Sequence, residues 1–264
     1  MNVLRTIKKL TKRSGLIVGG VRALRAGVVD VKKVFGWITR TPKIKGYLRK
    51  NHLKKLQLGT SNTVMDGWLN TDLVPTNRNV VYLDATRRLP FSRDIFDYIY
   101  SEHMIEHIEY QSAVSMLHEC FRVLKPGGRI RISTPDLKVY TNLHSEEKTA
   151  SQTFYIDWVI QRFMPEVDYC KEVFLINNAF RAWGHQFLYD RETMRETLVR
   201  TGFEDIRYYQ PGMSDDENLR GLESHGDLVG GREINHFEAF AVEGRVPNPK
   251  KRTRVLDSIN ESPR

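Results

Sequence analysis

His103, Glu106 and His107 spell H-x-x-E-H within "SEHMIEHIEY" (101–110). On a helix, residues three and four apart share a face. Two imidazoles could then hold a metal while Glu106 activates water, as in a class of zinc peptidases. The same residues directly follow "IFDYIYS" (95–101), an apolar and aromatic run that predicts a strand. They then become the loop where a parallel strand ends above a bound small molecule. A second concentration of chemistry lies at "FLINNAFRAWGHQF" (174–187), where Asn177, Asn178, Arg181, Trp183, Gly184 and His185 crowd together. Amides, a guanidinium and an indole at this spacing suit a pocket for a polar, oxygen-rich acceptor such as a sugar or polyol; a packed, capped helix end is the bland alternative.

The elements that must position these groups are legible as alternating strand and helix patterns. "KLQL" followed by Gly59, "GWLNTDL" (67–73), "NVVYLDA" (79–85), "IFDYIYS" and "GGRIRISTP" (127–135) predict five short, covered strands. "QSAVSMLHECFRVL" (111–124) predicts a helix with Val114, Leu117, Cys120, Phe121 and Leu124 on one face, stopped by "KPGG" (125–128) through Pro126 and a glycine C-cap. Residues 138–187 read as a mostly helical insertion, 189–203 as a helix, and "FEDIRYY" (203–209) and "NHFEAFAVE" (235–243) as two closing strands. Between these, 210–231 is a polar loop that reads as a lid. This alternation predicts an α/β, doubly wound, Rossmann-like sheet.

In such sheets ligands sit beyond the carboxyl ends of the strands. The first predicted strand ends in Gly59-Thr60-Ser61, a turn whose backbone can approach a ligand closely. The second ends in Asp72, placed to accept hydrogen bonds from a ribose diol; the third ends in Asp84-Ala85, placed to meet the edge of a purine. For each Asp the alternative is a turn-forming carboxylate.

Residues 54–135 resemble the class I S-adenosylmethionine-dependent methyltransferases of the small-molecule, type-11 branch. The resemblance is carried by "LQLGTSNTVMDGWLNTDL" (56–73), "LDATRRLPFSRDIFDYIYSEHMIEHI" (83–108) and "HECFRVLKPGGRIRISTPDL" (118–137). Ser61 stands where a second glycine is expected, and the connection after Gly59 is shorter than a helical crossover. The resemblance implies S-adenosylmethionine as cofactor. Gly59, Thr60 and Ser61 would lie at its methionine part, Asp72 at the ribose, Asp84 and Ala85 at adenine, and Ser101, Glu102 and His103 near the methyl group. His103 and His185 are then the candidate general bases for a hydroxyl acceptor, with Asn178, Arg181 and Trp183 contacting that acceptor. No metal is expected, since with a helix beginning near Met104 His103 lies at the turn, where it and His107 need not share a face. A zinc hydrolase built on His103, Glu106 and His107 is the first alternative.

Charge divides the chain. Residues 1–55 hold sixteen Lys or Arg against one acid, a net +15, whereas residues 56–244 hold 19 basic and 29 acidic residues, a net −10. A basic arm over residues 1–50 thus precedes a mildly acidic domain over 51–245, followed by a tail from 246 to 264 that reads as disordered. The second alternative, an RNA methyltransferase anchored by the arm, lacks a basic aromatic stripe at the site; no nucleic acid is expected. In the arm, Val3, Ile7, Leu10, Ile17, Val21, Leu24, Val28, Val31, Phe35 and Ile38 form one helical stripe. Packing on the body or on a partner, lying on an anionic membrane, and serving as a transit peptide are its readings, in that order. With two cysteines, Cys120 and Cys170, the chain offers no disulfide framework, and a cytoplasmic setting, peripheral at a membrane surface, is the expectation.

Overall fold

The computed structural model describes residues 15–249, with side chains from residue 29 onward. Val3, Ile7, Leu10 and the tail beyond residue 249 lie outside the described residues. The first element is one helix, α1 (Gly15–Lys50), followed by β1 (Lys55–Leu58), β2 (Leu69–Asp72), β3 (Val81–Tyr82) and β4 (Phe96–Glu102). A single 3₁₀ turn (Ile105–His107) leads to α2 (Tyr110–Val123) and β5 (Leu124–Pro135). The helical insertion comprises α3 (Leu137–Asn142), α4 (Ala150–Phe163) and α5 (Glu172–Arg181). The chain then forms α6 (Arg191–Arg200), β6 (Glu204–Tyr209), α7 (His225–Val229), α8 (Arg232–Glu238) and β7 (Ala239–Arg245).

The seven strands lie in the order β3-β2-β1-β4-β5-β7-β6, with β7 antiparallel to both neighbours and the first five strands parallel. This is the doubly wound Rossmann-like sheet expected from the alternation. The order reverses between β1 and β4, so the crevice beyond their carboxyl ends is the natural ligand position. Leu56, Leu58, Ile99, Ile130 and Ile132 fill the sheet's core, and α2 covers it with Ala113, Met116, Leu117, Cys120 and Phe121. The insertion has a core of its own, in which Tyr140, Tyr155, Ile156, Val159, Ile160 and Leu175 meet Ile234 of α8.

Three local expectations are corrected. The helix before "KPGG" ends at Leu124 in extended backbone, not in a glycine cap. Gly127, at φ 80°, instead sits where the register between β4 and β5 shifts, and its N–H donates to the Val246 carbonyl at 3.0 Å. Residues 235–238 close α8 and the last strand starts at Ala239, because Asn235 and Glu238 turn toward the site rather than into the sheet. The arm's apolar stripe is not what packs on the body. Gly36 and Ile44 are buried against the sheet edge, where a Cβ on Gly36 would fall 2.7 Å from that of Tyr82. The Tyr47 hydroxyl reaches the Lys55 carbonyl at 2.8 Å. Val31, Phe35 and Ile38 face away from the sheet and are exposed.

Candidate active site

A cavity of about 430 Å³ opens above the carboxyl ends of β1 and β4. Its floor is the turn after β1. Gly59 has φ 67°, and a side chain there would strike Met104, whose Cβ lies 2.8 Å from the Cβ position. Ser61 is also left-handed, at φ 47°, a conformation that costs a residue with a Cβ roughly 1 kcal/mol or more. Asp72 holds that turn in place: one carboxylate oxygen accepts the Ser61 N–H at 2.8 Å and the other the Val74 N–H at 2.8 Å. Thr60 is anchored beneath, donating from its hydroxyl to Gln57 at 2.7 Å.

The wall is assembled at the end of β4. His103 takes φ 44°, which throws its ring out of the strand direction and separates it from His107. His107 belongs to the 3₁₀ turn, so H-x-x-E-H is not a helical motif here. His103 Nδ1 lies 3.3 Å from Glu106 Oε1, and Nε2 lies 3.0 Å from Asn235 Oδ1. Nε2 donates to Asn235, and the buried Glu106 carboxylate lies in ion-pair range of Nδ1, an arrangement that favours the imidazolium. Burial alone would lower its pKa, but the hydrogen bond and charge of buried Glu106, with Glu238 and Asn235 behind, push it up to about 9. His103 is therefore not a general base at neutral pH.

His225, from the lid, stacks on His103 with ring centroids 3.9 Å apart. Burial first, and then the charge of His103, bring its pKa down to about 4, so this imidazole is neutral. The lid is fastened by Glu102, whose carboxylate accepts the Ser224 N–H at 3.0 Å and the His225 N–H at 2.9 Å. A second fastening lies deeper. Glu223 meets the fully buried Arg131 of β5 at 2.7 Å, and Arg131 also meets Glu243 at 2.7 Å. Sequence reasoning missed Glu223, His225, Asn235 and Glu238; only the acidic "DDENLRGLESHGD" (215–227) hinted at charged partners for Arg131.

Opposite, residues 185–187 are zipped to the 3₁₀ turn. The Gln186 and Phe187 N–H groups donate to the Glu106 carbonyl at 2.7 and 3.1 Å. His185 Nδ1 lies 2.8 Å from the Ala179 carbonyl; it must donate there, which leaves Nε2 as the acceptor. Burial lowers the pKa of His185, so the ring is neutral and its lone pair available. The outer cavity is aromatic and aliphatic, lined by Trp158, Phe163, Trp183, Leu228, Val229 and Ile234.

Of the residues singled out from sequence, Gly59, Thr60, Ser61, Glu102, His103, Trp183 and His185 line the cavity. Asp72, Asp84, Ala85, Ser101, Asn178 and Arg181 are not among the lining residues. Asp72 acts through the turn it supports. Asp84 makes the turn that was its alternative reading, accepting the Thr86 N–H at 3.0 Å and pairing with Arg87 at 3.2 Å. Ala85 packs against the main core, and Ser101 is buried within the sheet with no hydrogen bond to its hydroxyl. Arg181 is exposed on α5, and the Asn178 amide nitrogen is buried without a partner.

Among the described residues, two groups of three bring potential metal-ligating atoms within 4.8 Å of one another: His103, His225 and Glu238, and Glu106, His107 and His185. Neither is the His103, Glu106 and His107 set that a zinc hydrolase requires. That set is broken because His103 leaves the strand in left-handed backbone.

Residues 62–132 match the family described as Methyltransferase domain, a segment running from the turn after β1 into β5. Over that segment the chain is similar to the methyltransferase domain family, consistent with a class I, type-11-like methyltransferase. Its methyl donor is S-adenosylmethionine. The turn at Gly59–Ser61, held by Asp72 beside a cavity of drug-like size, fits that cofactor's need for close backbone approach at the switch point. No curated protein matches the sequence. Among solved structures, a chain of the complex between the Haloferax volcanii Trm112 methyltransferase activator and a methyltransferase is 14% identical, with 84% of this chain and 97% of that one covered and a TM-score of 0.42. Phosphoethanolamine N-methyltransferase 2 of Haemonchus contortus, with phosphomonomethylethanolamine and S-adenosylhomocysteine, is 17% identical over 80% of this chain and 53% of that one, at a TM-score of 0.41. An Archaeoglobus fulgidus S-adenosylmethionine-dependent methyltransferase is 14% identical over 78% and 91%, at 0.41. At that distance these likenesses add nothing to the sheet order itself.

Proposed function

We propose that this methyltransferase domain transfers the methyl group to a hydroxyl of a small, ring-bearing acceptor, with His185 as general base. One observation carries the reading: a single cavity runs from the Gly59–Ser61 turn and Glu102 to a neutral His185 and the indoles of Trp158 and Trp183. The cofactor supplies a methyl on a sulfonium leaving group, so the protein's task is alignment and proton removal. His185 Nε2 takes the hydroxyl proton while Nδ1 stays bonded to Ala179. His107, edge-on to His185 at 5.0 Å, and Trp183, at 5.8 Å, hold the ring between them. The flat faces of Trp158 and Trp183 suit a sugar or a phenol ring alike, whereas the polar groups at Asn178 and Arg181 are elsewhere. Glu102 and the stacked His225 keep the lid over the reacting atoms and exclude water.

The test is methyl transfer from labelled S-adenosylmethionine to panels of phenols and of sugars. Transfer that His185→Ala abolishes, with cofactor binding retained, supports the reading. Transfer confined to amines or thiols, or indifferent to His185, sinks it.

A further inference from the structure

The stripe read in the arm remains unpartnered after folding. Val31, Val34, Phe35, Trp37 and Ile38 are each between 58% and 68% exposed, far above what a helix presents when its apolar face is packed. At roughly 100° per residue, the buried face of α1 at Gly36, Ile44 and Tyr47 lies on the side opposite Val31, Val34, Phe35 and Ile38. One face is thus committed to β3, and the other is left over. The backbone of α1 is continuous from Gly15 to Lys50, a length of roughly 54 Å.

We propose that α1 docks on an anionic lipid surface through this face, holding the methyltransferase domain at the membrane. Charge selects that occupant. Residues 1–55 carry a net +15 and residues 56–244 a net −10, so an anionic surface attracts the arm and repels the body. The two constraints together fix one orientation, with the helix lying flat and the domain held off. Lys45 and Arg49, exposed on the same side of the helix, have stems long enough to reach headgroups while Phe35 and Ile38 enter the acyl boundary. No described helix is long and apolar enough to cross a membrane.

The experiment is co-sedimentation of the full chain with vesicles of mixed phosphatidylcholine and phosphatidylglycerol, and of phosphatidylcholine alone. Binding to the mixed vesicles only is expected, weakening as salt rises. The double variant Phe35→Ser, Ile38→Ser should bind them about tenfold or more weakly. Both side chains are exposed, so circular dichroism and S-adenosylmethionine binding should be unchanged; a loss of cofactor binding in the wild type would strike the methyltransferase reading and leave this one intact. Failure to bind mixed vesicles, equal binding to both vesicle types, or unchanged binding by the variant overturns the proposal. So does a wild-type dimer that ignores vesicles and that the double variant dissociates, since the face would then belong to a second copy.

Discussion

The cofactor end of the cavity is made from residues 57 to 72, whereas the acceptor end draws on groups as far apart as His103 and Glu238. At the first end a strand stops, a glycine turns the chain, and a carboxylate eleven positions later pins the turn. At the second, the 3₁₀ turn, α4, the loop after α5, the lid and α8 each contribute between one and three side chains. The first end is fixed by local backbone geometry that tolerates few substitutions. The second is held by long-range hydrogen bonds and packing. On the proposed assignment, cofactor recognition and acceptor choice fall to separable parts of one cavity.

Gly59→Val should give the largest effect. It asks a β-branched residue to adopt φ 67° and drives its Cβ into Met104. Cofactor binding should fall below detection in calorimetry, with the fold destabilised by about 2 kcal/mol or more. Retained binding would mean that the turn is not the cofactor's seat. His185→Ala should come next, lowering kcat by about 10²–10⁴-fold while the cofactor Kd stays within a factor of about two. A parallel loss of cofactor affinity would erase the distinction between the two ends.

Asp72→Ala should be smaller. It removes the two N–H bonds that hold Ser61 and Val74, each worth about 1.5–3 kcal/mol at most when the acceptor is charged. Cofactor affinity should drop by roughly tenfold to a hundredfold. Asp72→Asn, which keeps one acceptor oxygen, should lose less. An Asn variant as weak as Ala would point to the charge itself, and so to direct contact with the cofactor rather than support of the turn.

The same contrast explains what was legible in the sequence. The first five strands and the Gly59–Ser61 turn follow from short-range signals: β-branched runs, a glycine, an Asp at a strand end. "HMIEH" could not be placed by spacing alone, because the left-handed backbone at His103 is set by its bonds to Asn235 and Glu106. Asn178 and Arg181 looked like site residues because they stand near Trp183 and His185 in sequence. The helix α5 carries them to other faces, while the loop beyond it returns Trp183 and His185 to the cavity. Of the arm's stripe, the described residues Val31, Phe35 and Ile38 share one exposed face, but periodicity does not say what covers a face. Gly36, an apparent weak point for a helix, is where the body makes its close approach.

The smallest expected effect concerns the stacked pair of histidines, whose titrations act on stability in opposite directions. His103 has a folded pKa of about 9 against an ordinary 6.5, so its contribution is complete below pH 6.5 and is lost as pH rises toward 9. His225 has a folded pKa of about 4, so its contribution is complete above pH 6.5 and is lost as pH falls toward 4. Each slope is at most about 1.4 kcal/mol per pH unit, and the carboxylates around the pair add slopes of their own. The variants isolate the two histidines. His225→Phe keeps a ring on His103 but has nothing to titrate, so the acid-side slope of the urea midpoint between pH 4 and 6.5 should flatten relative to wild type. Asn235→Leu removes one acceptor from the imidazolium, so the alkaline loss should move to lower pH and the cavity-facing ring should become neutral nearer pH 7. If Asn235→Leu leaves the alkaline limb where it is, the charge of His103 does not depend on α8. The acceptor end would then owe less to long-range assembly than its geometry implies.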